Sequence, residues 1–149
     1  MAIPDEKDGI LDPSEFPANF LIPSDPGEAR RIQDKIVEGL QAHHYNEKDV
    51  FAVKLALEEA VVNAIKHGNQ MDRSKKVRIA YKITPDQCDI LIADEGPGFD
   101  PAEVPDPTNP ENLERHSGRG VMLMRHYMNE VHFSPRGNSV RMSKQPTKK

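Results

Sequence analysis

From Asn46 to Gly68 the sequence runs as one long amphipathic helix, and this stretch limits the possible folds more than any other. Asn46 is placed as N-cap with Asp49 three residues on, close to a capping box. Val50, Val53, Leu57, Ala60, Val61, Ala64 and Ile65 fall along one side, and Gly68 reads as a left-handed C-cap. At about 1.5 Å per residue the span 47–67 reaches roughly 30 Å, long enough to cross a sheet. Residues 76–93 supply two strands of that sheet. Val77, Ile79, Tyr81 and Ile83 alternate with Lys76, Arg78 and Lys82; after a Thr84-Pro85-Asp86 turn, Cys88, Ile90 and Ile92 alternate with Asp89, Leu91 and Ala93. A period of two on both sides of a turn predicts an antiparallel hairpin, its second strand the more buried.

The flanking segments complete the plan. Phe16, Phe20 and Ile22 predict a short strand, which Pro17 confines to an edge. Ser24 or Asp25 then caps a helix over 27–42, with Pro26 in its first turn and Ile32, Ile36, Val37 and Leu40 inward. A third helix follows Gly118, with Met122, Met124 and Met128 read as core filling. Val131-His132-Phe133 and Val140-Arg141-Met142 form a closing hairpin. The order strand, helix, helix, strand, strand, loop, helix, strand, strand predicts an α/β fold of the two-layer α+β sandwich type. Its sheet is mixed, mostly antiparallel, and covered on one face by three helices.

The 149 residues suffice for one such domain and not for two. We expect a disordered acidic N-terminus over 1–15, a single domain over 16–144 and a basic, solvated tail over 145–149. Six acids against one lysine in 1–25 are offset by five basic residues with no acid in 135–149, and the stretch between them carries the net charge of −4. That balance suits a nonspecific nucleic-acid binder poorly. A lone Cys88 excludes an internal disulfide and a cysteine-based zinc site, and its strand position makes it inert. With no apolar window long enough for a membrane span and an N-terminus neither basic nor apolar, a cytoplasmic location is expected.

Three segments carry polar groups where chemistry can use them. Glu59, Asn63 and Lys66 or His67 lie along one line of the central helix, beside Ala56, Ala60 and Ala64. A carboxylate one turn from a carboxamide can hold a hard cation and activate a hydroxyl or water. The same groups also suit an ordinary wet helix face. Asp94-Glu95-Gly96-Pro97-Gly98-Phe99-Asp100 ends the buried strand, where an aspartate can accept from an amino group and glycines admit a flat ligand. It equally suits a Gly/Pro turn, except that a loop with five prolines over 94–117 follows, far longer than a turn needs. Ser117-Gly118-Arg119-Gly120-Val121 opens the third helix with exposed amides suited to phosphate, with Arg115 and Arg119 beside it. A cleft with a base-recognising end, a phosphate end and a cation-binding helix between them fits a purine nucleotide with Mg²⁺.

These residues resemble the GHKL superfamily of ATPases and within it the anti-sigma-factor serine kinases of the SpoIIAB and RsbW type. Glu59 to Gly68 is similar to the N box, Asp94 to Asp100 to the first glycine box, and Leu113 to Val121 to the lid end and second glycine box. Phe20-Leu21-Ile22-Pro23-Ser24-Asp25-Pro26 and Met128-Asn129-Glu130-Val131 resemble further stretches of that subgroup, so the likeness covers about 16–144. The resemblance implies a Bergerat ATP-binding fold, a lid over about 100–117, and ATP or ADP with Mg²⁺ as ligands. It implies Glu59 as general base or water-positioner, Arg115 on the terminal phosphate and Asn63 as the magnesium ligand. Asp94 would receive the adenine amino group, Gly96 and Gly98 shape the base site, and the backbone of Gly118, Arg119, Gly120 and Val121 meet the phosphates. His67 stands where the subgroup commonly has histidine. The implied activity is transfer of the ATP γ-phosphoryl group to a serine or threonine of a small STAS-type antagonist, by a homodimer that also holds a sigma factor, with no direct nucleic-acid or membrane contact. The alternative is a catalytically weak ATP-binding switch or sequestering module. Two departures stand out: His116 is one extra residue between Arg115 and Ser117, and Asn138 replaces the hydroxyl after the last hairpin's glycine.

Overall fold

A computed structural model describes residues 13–96, 118–135 and 138–147. Within them a short 3₁₀ turn, Pro13–Glu15, precedes β1 (Ala18–Pro23), α1 (Pro26–Ala42), α2 (Glu47–Val62), a π-helical turn (Asn63–Gly68), β2 (Lys76–Ile83), β3 (Cys88–Ala93), α3 (Gly118–Tyr127), β4 (Glu130–Phe133) and β5 (Ser139–Lys144). The sheet order is β1-β2-β3-β5-β4, and all four pairings are antiparallel, so the sheet is not mixed as expected; each neighbouring pair runs in opposite directions. The element order agrees with the alternation and helical periods of the sequence. The expected long loop and the N-terminal residues 1–12 lie outside the described residues.

One core joins the helices to one face of the sheet. Ile32, Ile36 and Leu40 of α1, Val53 and Leu57 of α2, and Met124 of α3 meet Val77, Ile79, Ile90 and Met142, all fully buried. Each such Leu or Ile contributes about 1.5–3 kcal/mol by leaving water. On the opposite face the buried apolar cluster is small: Phe16 over Ala80 and Leu91. β3 is buried on both sides, as its sequence predicts, and Cys88 is buried with burial pushing its thiol up to about 12. Asp89, on the less covered face, accepts from Ser143 Oγ at 2.6 Å.

Several local expectations are corrected. Of the two expected caps for α1, Asp25 is the one, its carboxylate accepting from Gly27 N at 3.0 Å with Pro26 beginning the first turn. Asn46 caps α2 by accepting from Asp49 N at 2.7 Å, but the Asp49 carboxylate turns away to Thr147. Thr147 donates to it from both N (2.7 Å) and Oγ1 (2.6 Å), so the residues after β5 are tied to α2 rather than wholly solvated. Met122 is 46% exposed, because two positions from Met124 on a helix is nearly the opposite side. Gly68 is not the left-handed residue; Gln70 (φ 53°) and Met71 (φ 60°) are. The helix widens at its end instead, Asn69 N donating to Ala64 O at 2.9 Å across five residues.

Candidate functional site

The N-cap at Asn46 and the buried Ala and Val side fix how α2 turns its polar row. Glu59, Asn63 and His67 are half-buried, whereas Glu58, Val62 and Lys66 are exposed. The row therefore continues through His67, not Lys66. Asn63 is the last residue bounding α2 and the first of the π-helical turn, a distortion often found where a helix carries function.

The far end of that turn meets the end of β3. Asp94 is only 7% exposed. Its backbone N donates to Asn138 O at 2.9 Å, and its Oδ1 accepts from Gly96 N at 2.7 Å. The carboxylate lies against the Cα of Gly68, so a Cβ on Gly68 would overlap it; a Cβ on Gly96 would overlap the Gly68 carbonyl. These glycines are required by close approach, not by backbone conformation. Burial pushes the Asp94 carboxyl up to about 6, against the opposing pull of the Gly96 amide and the Lys75 charge. A carboxylate so placed can accept a hydrogen bond from an N–H donor that reaches it.

The near end of the turn meets α3. A Cβ on Gly120 would stand 3.1 Å from Asn63 Nδ2 and 3.5 Å from its Oδ1. Asn63 Nδ2 is buried and has no hydrogen-bond partner among the described residues. Gly118, Arg119 and Gly120 form the first turn of α3, whose leading amides have no partner within the helix itself. Val121 is buried in the core, so only its backbone is available to a ligand. Thus Asn63, Gly120, Gly68, Asp94 and Gly96 are brought together along α2 and its π-helical turn. Gly98 and Arg115 lie outside the described residues.

Among the described residues there is no group of three or more His, Cys, Asp or Glu suited to a metal. The Asn63 carboxamide nevertheless fits Mg²⁺, which commonly takes one or two protein oxygens and completes its shell from phosphates and water.

The sequence reading overlooked Asn69. It is fully buried, and its carboxamide bonds Ser24, Lys76 and Glu95, which are 45, 7 and 26 positions away. No short-range pattern marks such a residue; the only hint is its place directly after Lys66-His67-Gly68.

Comparison with known proteins gives consistent matches. The profile of the histidine kinase-like ATPase domain family matches residues 22–144. The chain is similar to serine-protein kinase RsbW of Oceanobacillus iheyensis, 31% identical over 62% of this chain and 63% of the relative. It is also similar to anti-sigma F factor of the same organism, 38% identical over 64% of this chain and 69% of the relative. The chain thus spans somewhat less than two thirds of the first of these relatives, and 58% of an RsbW from Bacillus licheniformis. Among solved structures, the RsbU and RsbW domains of a Mycobacterium tuberculosis protein share the fold, with a TM-score of 0.58 and 14% identity over 88% of this chain and 33% of that one.

Proposed function

This chain belongs to the histidine kinase-like ATPase domain family, and from that premise we propose that it is an ATP-dependent serine/threonine protein kinase and anti-sigma factor. Its substrate is a serine or threonine of a STAS-type antagonist, and it holds a sigma factor as a homodimer. The names of the similar proteins support the activity and the regulatory role. The observation that carries the reading is the Asn63 Nδ2, buried and without a hydrogen-bond partner among the described residues, against Gly120 at the start of α3. An unpartnered N–H donor beside the N-terminus of a helix suits a phosphate chain, with Asn63 Oδ1 left for a cation.

Each residue has a separable task. Asp94 accepts the adenine amino group, with Gly96 and Gly98 leaving room for the ring. The amides of Gly118, Arg119, Gly120 and Val121 hold the phosphates, favoured by the positive end of α3. Asn63 Oδ1 would hold Mg²⁺, which would neutralise phosphate charge. Glu59, one turn before Asn63, takes or orients the acceptor hydroxyl proton. Arg115 stabilises charge on the transferring group, and His67 extends the polar row at the base side. Phosphorylation adds about −1.5 to −2 charge to the partner, which an acidic kinase then releases by repulsion.

Incubation with labelled ATP and a STAS-type protein tests this. Label should pass to a serine or threonine of the partner. Glu59→Gln should slow transfer about 10²–10⁴-fold while ATP still binds. ATP binding with no transfer would favour the sequestering module, and no thermal shift with Mg-ATP would remove the nucleotide reading altogether.

A further inference from the structure

We infer that Asn69 is a positioning residue for the base end of the nucleotide site, an assignment that rests on the ATP-binding reading above. Its Nδ2 donates to Ser24 Oγ and to Lys76 O, both at 2.9 Å, and its Oδ1 accepts from Glu95 N at 2.8 Å. Its own N–H closes the π-helical turn on Ala64 O. One fully buried side chain therefore joins the β1–α1 junction, the first residue of β2 and the segment after β3 to the end of α2.

The bond to Glu95 N sets the direction of the chain where it leaves Asp94. The Asp94 amide is already fixed on Asn138 O, and its Oδ1 on Gly96 N. Glu95 is held a second time through its carboxylate, which accepts from Lys76 N, the residue whose carbonyl Asn69 also binds. Residues 68 and 69 together mould the loop: Gly68 lies flat against the Asp94 carboxylate, and Asn69 orients the next peptide. Among the described residues, Asn63 and Gly120, where the phosphates would lie, share no hydrogen bond with the Asn69 side chain. Loss of Asn69 should therefore damage base recognition and spare the phosphate end.

The test compares Mg-ATP with inorganic tripolyphosphate, which has no base, on the wild-type chain, Asn69→Ala and Ser24→Ala, by calorimetric titration and thermal melting. Asn69→Ala should weaken ATP by about tenfold to a hundredfold, since buried groups lose their partner, and change tripolyphosphate affinity by less than about threefold. Ser24→Ala removes one Asn69 contact but not the Glu95 bond. It should lower the melting temperature and leave the ratio of the two affinities unchanged. If Asn69→Ala does not fold, Asn69→Ser keeps a polar group in the hole while falling short of Glu95 N, and the same base-selective loss is expected. Equal losses for both ligands, or no loss for either, in the variant that folds would overturn the positioning role and leave the ATP-binding reading standing. A wild-type chain that binds neither ligand would overturn both.

Discussion

At the Asp94 end of the candidate site the protein supplies partners from its own chain: Gly96 N and Asn138 O for Asp94, Asn69 for Glu95, and glycines packed so closely that no Cβ fits. At the Asn63 end a carboxamide nitrogen is buried without a partner among the described residues, and a Cβ on the neighbouring Gly120 would crowd it at 3.1 Å, a contact that a small shift of the Asn63 side chain relieves. The first arrangement is finished before a ligand arrives. On the proposed reading, the second is completed by one. A rigid end confers selectivity by excluding misfits, while an incomplete end makes affinity depend on what the ligand brings.

The largest expected effect falls on the finished end. Gly96→Ala drives a methyl group into the Gly68 carbonyl, which is backbone and cannot swing away. We expect a loss of about 3 kcal/mol or more of stability in urea unfolding, together with loss of ATP binding. Retention of both would show that the Gly68–Gly96 contact yields easily and that the two ends are less different than described.

The next effect sharpens the contrast through pH. Asp94 is raised from 3.8 to about 6 by burial, so the folded state binds a proton more tightly than the unfolded chain. Stability from the protonated form is full below about 3.8 and is lost as pH rises through about 6. Asp94→Asn should therefore stabilise the ligand-free protein by about 1–3 kcal/mol at pH 7.5, with the gain vanishing below about pH 4, while weakening ATP. Melting temperatures across pH 3.5–8, with and without Mg-ATP, check both halves. A variant of unchanged ligand-free stability at pH 7.5 would mean that the ionised carboxylate carries no cost in its site.

The smallest effect lies at the open end. Gly120→Ala places its methyl about 3.1 Å from Asn63 Nδ2, an atom at the tip of a side chain that can shift. Stability should change by less than about 1 kcal/mol, the better helix propensity of Ala offsetting the crowding. ATP affinity should fall about tenfold because the displaced amide no longer faces the phosphates. Calorimetric titration together with urea unfolding separates this from Gly96→Ala, where stability falls with the affinity.

Much of this frame was legible in the sequence, for identifiable reasons. Helices α1 and α2 announce themselves through caps and a 3.6-residue apolar period, and β2 and β3 through alternation around Thr84-Pro85-Asp86. Asp94 could be found because it directly follows a strand whose two faces are apolar. What escaped depends on partners far away in the chain. Nothing near Asn69 shows that Ser24 and Glu95 will reach it, and nothing near Asp49 foretells Thr147, 98 residues on. Gly68 was found but given the wrong reason, since a helix-ending glycine looks the same whether it is needed for its backbone angle or for its missing side chain. Reading Met122 as core was an avoidable error of helical geometry.

The Asp49–Thr147 tie has a practical consequence for anyone trimming this protein. Asp49 is 1% exposed; burial alone would raise its carboxyl, but the two hydrogen bonds from Thr147 and the nearby Lys144 charge hold it below its ordinary value. The family match stops at residue 144. A fragment cut there would discard the hydroxyl and amide that accompany a buried anion at the head of the long helix, so expression boundaries and fusion junctions belong beyond Thr147, not at the edge of the recognisable homology.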